Sequence, residues 1–330
     1  MRVGIVGCGW VAEHRHIPAY RNIADLDIVA LCDVNEAQAK ALSGRFGVSE
    51  TYTDYRAMFE KEALDIVTIA TTPKAHAEIA VAAAERRIHV FCEKPLAVSM
   101  DEANAIVQSA ESNRVKLMVN HSYRRFPQFE TTKKVLDERM IGDVFYANLE
   151  QFVWNDRFQG TYVMPNIVHE MGIHYIDLLR WLIGKDAERV YALGTNLVKQ
   201  VKIAEKAMAT ITIDFGDEVM GRIDVSWISK GTKIMEKARV DGTQGCILIN
   251  WDRPVAVYTD KPPHSGWHYP QIQRLESINT TFEKNMRLFI EAIKEDTEPP
   301  ISGKDNLKTL RIVFGAIESM KTKQAVELKQ

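Results

Sequence analysis

The stretch Val3-Gly4-Ile5-Val6-Gly7-Cys8-Gly9-Trp10-Val11-Ala12 reads as a short apolar strand running directly into a glycine turn. Its last six residues have the spacing G-x-G-x-x-A. In a strand–turn–helix unit the first glycine permits the tight turn and the second lets a pyrophosphate approach the backbone. The small third residue lets the helix pack close to the strand, and the helix N-terminus favours the anion. Gly7, Cys8, Gly9, Trp10 and Val11 are therefore the expected phosphate loop. A second apolar run ends in Asp33, 24 residues after Gly9, where a carboxylate can accept hydrogen bonds from ribose hydroxyls. A 2′-phosphate would meet that carboxylate, and Val34-Asn35-Glu36 brings no arginine to reverse the sign, so NAD is favoured over NADP. Asp33 could also simply cap the helix that begins near Asn35.

Working outward, apolar runs at 3–6, 26–32, 66–70, 89–92 and 115–120 alternate with helical patterns at 36–46, 75–87 and 99–113. Strands apolar on both faces, separated by helices, predict a doubly wound parallel sheet: a Rossmann domain over 1–121. Beyond residue 122 the pattern changes. Runs at 142–154, 189–198, 207–215, 219–228, 236–241, 246–251 and 255–258 alternate in polarity, most cleanly in Thr210-Ile211-Thr212-Ile213-Asp214-Phe215. Joined by turns containing Gly216 and Gly245, they predict an α+β domain over 122–330 with an open-faced, largely antiparallel sheet. One helix interrupts at 166–183, and two more close the chain at about 278–293 and 304–322, parted by Pro299-Pro300.

Composition narrows the function classes. With 42 basic and 44 acidic residues the formal charge is −2, without the basic excess of a nucleic-acid binder. No apolar run reaches ~18 residues, so no membrane span is expected. No secretory leader is evident, and the four cysteines lack paired spacing. Reduced thiols, no metal cluster and a cytoplasmic location are the expectations.

Further candidates sit where strands end. Thr71, Thr72 and Pro73 close the third run, with His76 in the next helical turn, and Asn120 closes the fifth; all are read as cofactor-lining. Glu93-Lys94-Pro95 closes the fourth run, and Glu93 and Lys94 are read as cofactor-binding as well. A lysine delivered there by an apolar strand, partly desolvated beside a cationic nicotinamide, suits proton traffic. On the interrupting helix, Glu170, His174 and Asp177 fall within ~60° of one another at ~100° per residue, and so share a stripe. Gly172 would expose backbone to a ligand. His169-Glu170 resembles the start of H-E-x-x-H, but the second histidine comes one residue late and points ~140° away, so a zinc pair fails.

With these residues assembled, the chain resembles the Gfo/Idh/MocA oxidoreductases over nearly its full length. The resemblance rests on Gly7-x-Gly9-x-x-Ala12, Glu93-Lys94-Pro95, Tyr123-Arg124-Arg125-Phe126-x-Gln128 and Gly172-x-His174-x-x-Asp177. It implies a substrate held between the two domains over the nicotinamide, and oxidation of a secondary hydroxyl of a sugar, sugar derivative or cyclitol. It also implies a homodimer or homotetramer joined through the sheets. Lys94 and His174 match the family's lysine and histidine, while Glu170 stands where many members carry aspartate. His174 is assigned as base, since imidazole titrates near ~6.5. Lys94 would then stabilise the developing alkoxide and Glu170 would orient; exchanged roles for Lys94 and His174 stay open. Tyr123, Arg124, Trp154, Arg157 and Tyr162 are expected to line the substrate. Two alternatives are an NAD-dependent glycoside hydrolase of the same fold and a catalytically silent nucleotide-sensing regulator.

Overall fold

The opening stretch forms strand β1 (Arg2–Val6) in the computed structural model, which describes residues 1–154, 166–197, 205–231, 235–250, 253–272 and 277–328. Four of its five residues are buried, as a strand covered on both faces requires. It is joined by β2 (Asp27–Cys32), β3 (Glu50–Tyr52), β4 (Ile66–Ile69), β5 (His89–Cys92) and β6 (Leu117–Val119). All pair in parallel, in the order β3-β2-β1-β4-β5-β6. Strand order reverses beside β1, and ligands of such sheets bind at the carboxyl edge there. Local chemistry starts the helices. Asn35 accepts from the Gln38 N–H to cap Glu36–Phe46, and Ser99 accepts from the Glu102 N–H to cap Met100–Ser112. β3 and the helix Tyr55–Lys61 went unread in the sequence, being too short to display a period.

The chain forms two compact units, Met1–Arg125 with Leu275–Leu307, and Phe126–Arg274 with Lys308–Gln330. A single cut at 121 differs from this division, because helix Asn279–Lys294 belongs to the first unit. Its apolar face explains the difference. Phe282, Met286, Phe289 and Ile290 are buried at helical spacing. Phe289 meets Phe91 at 5.6 Å between ring centroids, and Phe282 meets His16 edge-on at 5.0 Å.

In the second unit a nine-stranded sheet comprises β7 (Val144–Phe152), β8 (Arg189–Thr195), β9 (Met208–Asp214), β10 (Met220–Ser226), β11 (Met235–Gly242), β12 (Gly245–Asn250), β13 (Arg253–Thr259), β14 (Gly266–His268) and β15 (Val326–Glu327). The order is β14-β13-β12-β11-β7-β10-β9-β8-β15; β7 and β10 pair in parallel and the other pairs are antiparallel. Ala147, Leu149, Ile211, Ile213, Ile223, Ala238 and Val240 fill the buried face. Helix Ile173–Ile183 packs on β7 and β10 and ends at Gly184 in the left-handed region (φ +74). A Cβ at Gly221 would come within 2.5 Å of Leu179, so the glycine is what lets this helix lie close. The unread helix of this half is Pro127–Asp137. Among the described residues no helix is long and apolar enough to cross a membrane.

Candidate functional site

The glycine loop leaves β1 with Gly7 at φ +96; a Cβ there would lie 2.5 Å from the Ala70 backbone, so no other residue fits. Gly9 differs: a Cβ would meet nothing within 4 Å, which leaves the open backbone that a phosphate needs. Asp33 braces this loop. Its Oδ2 accepts from the Cys8 N–H (2.8 Å) and its Oδ1 from the Asn35 N–H (2.9 Å). Asn35, not Asp33, is the helix cap. Each carboxylate oxygen keeps acceptor capacity for a ribose hydroxyl. Trp10 is 58% and Val34 93% exposed, flanking the loop and the carboxylate. These residues fit a dinucleotide. The loop continues into a wide turn, Ala12–His16, in which the Ile17 N–H reaches back five residues to Ala12; such turns recur at functional sites.

Along the same edge, Thr71 is half-buried after β4, Thr72 is exposed and Pro73 is buried. His76 corrects an expectation. It is wholly buried, with Nδ1 and Nε2 against the carbonyls of Pro95 (2.9 Å) and Thr71 (3.2 Å). It fastens two strand-end loops together instead of facing the ligand. Burial holds its pKa down, against the pull of those carbonyls. Asn120 is likewise buried and donates Nδ2 to Glu93 Oε1 at 2.7 Å. Lys94 is half-buried, and its backbone N–H donates to Glu93 Oε2 at 3.2 Å. Tyr123 is half-buried. Arg124, expected at the substrate, is 3% exposed and donates to Asp305 Oδ2 (2.7 Å) and the Pro300 carbonyl (3.3 Å), a structural anchorage.

In the second unit the interrupting helix is not regular. Val168–Gly172 is a wide turn, with the Ile173 N–H bonded to the Val168 carbonyl, and the α-helix starts only at Ile173. The extra residue in that turn upsets a count at 100° per residue. Glu170 and His174 are half-buried, but Asp177 is wholly buried and accepts from Thr309 Oγ1 (3.3 Å), which in turn accepts from Arg180 Nη1 (3.0 Å). The expected stripe of three is thus a pair, with Asp177 an anchor to helix Gly303–Thr322. Gly172 is buried, and a Cβ there would touch Val168 at an ordinary 3.4 Å; the exposed backbone expected at this position is not found. His169 packs edge-on to Phe314 (5.5 Å), and burial pushes its pKa down to about 4. Trp154 is half-buried beneath Lys230, whose Nζ lies 5.3 Å from the ring centroid. Arg157 and Tyr162 lie outside the described residues. Among the described residues no cluster of side chains could hold a metal ion.

Sequence reading missed Glu236. It pairs across the sheet with Gln151, is 5% exposed, and accepts a hydrogen bond from the Tyr175 hydroxyl. Burial raises its pKa to about 7, the Tyr175 bond pulling the other way. Because the folded pKa lies above the unfolded value, its stabilising contribution is complete below pH ~4.5 and is lost as pH rises through ~7. Glu236→Gln should therefore stabilise the fold at pH 8 by roughly 3 kcal/mol, seen as a higher Tm, and by much less at pH 5. Thermal melts at the two pH values check this; an equal shift at both contradicts it.

In comparison with known proteins, two family models match the chain, one on either side of residues 122–128. Residues 1–121 match the model of the GFO_IDH_MocA oxidoreductase family, described as an NAD-binding Rossmann fold, and residues 129–248 match the GFO/IDH/MocA C-terminal domain. D-apiose dehydrogenase of Paraburkholderia graminis is 31% identical over 98% of this chain and 89% of its own. Myo-inositol 2-dehydrogenase of Thermotoga maritima is 25% identical over 100% and 99%. The structure resembles a crystal structure of an Agrobacterium radiobacter oxidoreductase in complex with NAD+, L-tartaric acid and magnesium. The TM-score is 0.91 at 26% identity, covering 99% of this chain and 98% of that one.

Proposed function

The chain belongs to the GFO/IDH/MocA family of oxidoreductases, with an NAD-binding Rossmann domain, and from that premise we propose that it is an NAD-dependent dehydrogenase oxidising a secondary hydroxyl of a sugar, sugar derivative or cyclitol. One observation carries the reading. The same chain keeps a loop-bracing Asp33 after β2, a half-buried Lys94 after β5, and the half-buried pair Glu170 and His174 at a wide helical turn. The phosphate loop is Gly7–Val11, and Asp33 receives the adenosine ribose. NAD+, when bound, supplies the hydride acceptor. His174 takes the hydroxyl proton, Lys94 stabilises the oxygen as charge develops, and Glu170 orients. The sugar-like substrate class is supported by the apiose and inositol dehydrogenases among the relatives.

Turnover of a panel of aldoses, polyols and sugar acids, read as NADH absorbance, tests the proposal. Failure of every member would overturn it. Release of sugar from a nitrophenyl glycoside without added NAD+ would instead indicate the hydrolytic chemistry.

The sheet's outer face bears exposed Tyr191, Leu193, Met220 and Tyr258, large apolar side chains that a lone protomer would leave in water. A homodimer or homotetramer that covers this face should sediment at twice or four times the protomer mass. A single protomer species at micromolar concentration would sink it.

A further inference from the structure

The buried polar groups around Glu93 form two hydrogen-bonded chains that end on its carboxylate. From one side Thr68 Oγ1 and the Tyr20 hydroxyl share a hydrogen bond (2.9 Å), Tyr20 meets His16 Nδ1 (3.0 Å), and His16 Nε2 meets Glu93 Oε1 (2.8 Å). From the other, Arg125 Nε donates to Asn285 Oδ1 (3.1 Å), Asn285 Nδ2 to Asn120 Oδ1 (2.9 Å), and Asn120 Nδ2 to the same Glu93 oxygen (2.7 Å). Thr68, Tyr20, His16, Asn120 and Asn285 are each at most 1% exposed. Every link fits one assignment of protons, with the imidazole carrying its hydrogen on Nε2. Two donor chains and the Lys94 N–H thus converge on one carboxylate. Burial alone would push the Glu93 pKa up, yet His16, Asn120 and Lys94 together hold it below its ordinary value, so Glu93 is an anion.

Its place on the sheet edge says what a fixed anion could do. Asp33 follows β2 and the glycine loop follows β1, so a dinucleotide with its adenosine at Asp33 and its phosphates at the loop directs its other half towards β4 and β5. Glu93 and Lys94 follow β5. The nicotinamide ring carries a positive charge when oxidised and none when reduced, and the Lys94 ammonium on that edge disfavours the oxidised form. We propose that Glu93, held as a carboxylate by the two donor chains, biases the bound cofactor towards NAD+, and that Asn285 is a positioning residue of this device. The inference rests on the NAD reading above and adds to it a role for segment Leu275–Leu307, which brings Asn285 into the first unit.

Binding of NAD+ and NADH, each titrated separately by calorimetry onto the full chain, tests it without turnover. Glu93→Gln keeps the shape and removes the charge. It should weaken NAD+ about tenfold relative to NADH, raising the midpoint potential of the bound couple by ~30 mV. Asn285→Ala should shift the ratio the same way by about threefold, since Asn120 loses its donor. Thermal melts of both variants confirm folding, and Asn285→Ser replaces Asn285→Ala if the latter does not fold. Equal changes in both affinities would overturn the proposal while leaving the NAD reading intact. Wild-type protein that binds neither nucleotide would remove the NAD reading and this inference together.

Discussion

Lys94→Ala and His174→Ala should each lower kcat by ~10²-fold or more, the order expected when a positioned proton-transfer or charge-stabilising group is deleted. NAD+ affinity should change far less, because the phosphate loop and Asp33 are untouched. If both groups serve one proton transfer, the double variant loses less than the product of the single losses. Glu170→Asp should be milder than Glu170→Ala, since it keeps the charge and shortens only the reach. His169 is the internal control. It is buried against Phe314, and burial keeps it uncharged near neutral pH. His169→Ala should therefore lower Tm while changing kcat by less than about threefold. Steady-state kinetics on the best panel substrate decide the matter. An inactive His169→Ala with an active His174→Ala would put the chemistry on the wrong side of the helix.

The contrast between those two histidines shows where sequence reading works. The glycine loop, Asp33 and Lys94 were legible because each lies at the end of an apolar strand, and parallel strands deliver their ends to one edge. The helix over 166–183 was legible as an element but not in its angles. A periodicity count assumes 3.6 residues per turn, and the wide turn Val168–Gly172 breaks that assumption between Glu170 and Asp177. That count puts Asp177 on the stripe; its partner Thr309 is 132 residues further along the chain, and nothing local announces it. Glu236 and Asn285 were invisible for the same reason. Each is an ordinary polar residue in an amphipathic run until Tyr175 or Asn120 is folded against it. His76 and Arg124 were placed near the ligand by position along the chain, whereas their hydrogen bonds go to backbone carbonyls and to Asp305.

Cofactor choice follows from the same carboxylate that braces the loop. Wild-type protein should bind NAD+ more tightly than NADP+, because a 2′-phosphate would be set against the Asp33 carboxylate. Asp33→Ser with Val34→Arg should reverse the order and move the NADP+/NAD+ affinity ratio by ~10²-fold or more. That change combines the removal of a like charge with a new charge-assisted bond to phosphate, each worth about 1.5–3 kcal/mol. Val34 is 93% exposed, so an arginine there displaces no packing. Asp33 is less freely replaced. Its two oxygens hold the Cys8 and Asn35 N–H groups, and serine can serve only one of them as an acceptor of comparable reach. The double variant should therefore lose NAD+ affinity through the loop as well as through the ribose, and its NADP+ affinity should stay below the wild type's affinity for NAD+. Val34→Arg alone, which keeps the brace, should gain NADP+ binding only weakly because the carboxylate still opposes the phosphate. Calorimetric titration of the three proteins with both nucleotides separates these terms. A wild type that prefers NADP+ would mean that Asp33 is only the brace of the glycine loop and not the ribose acceptor.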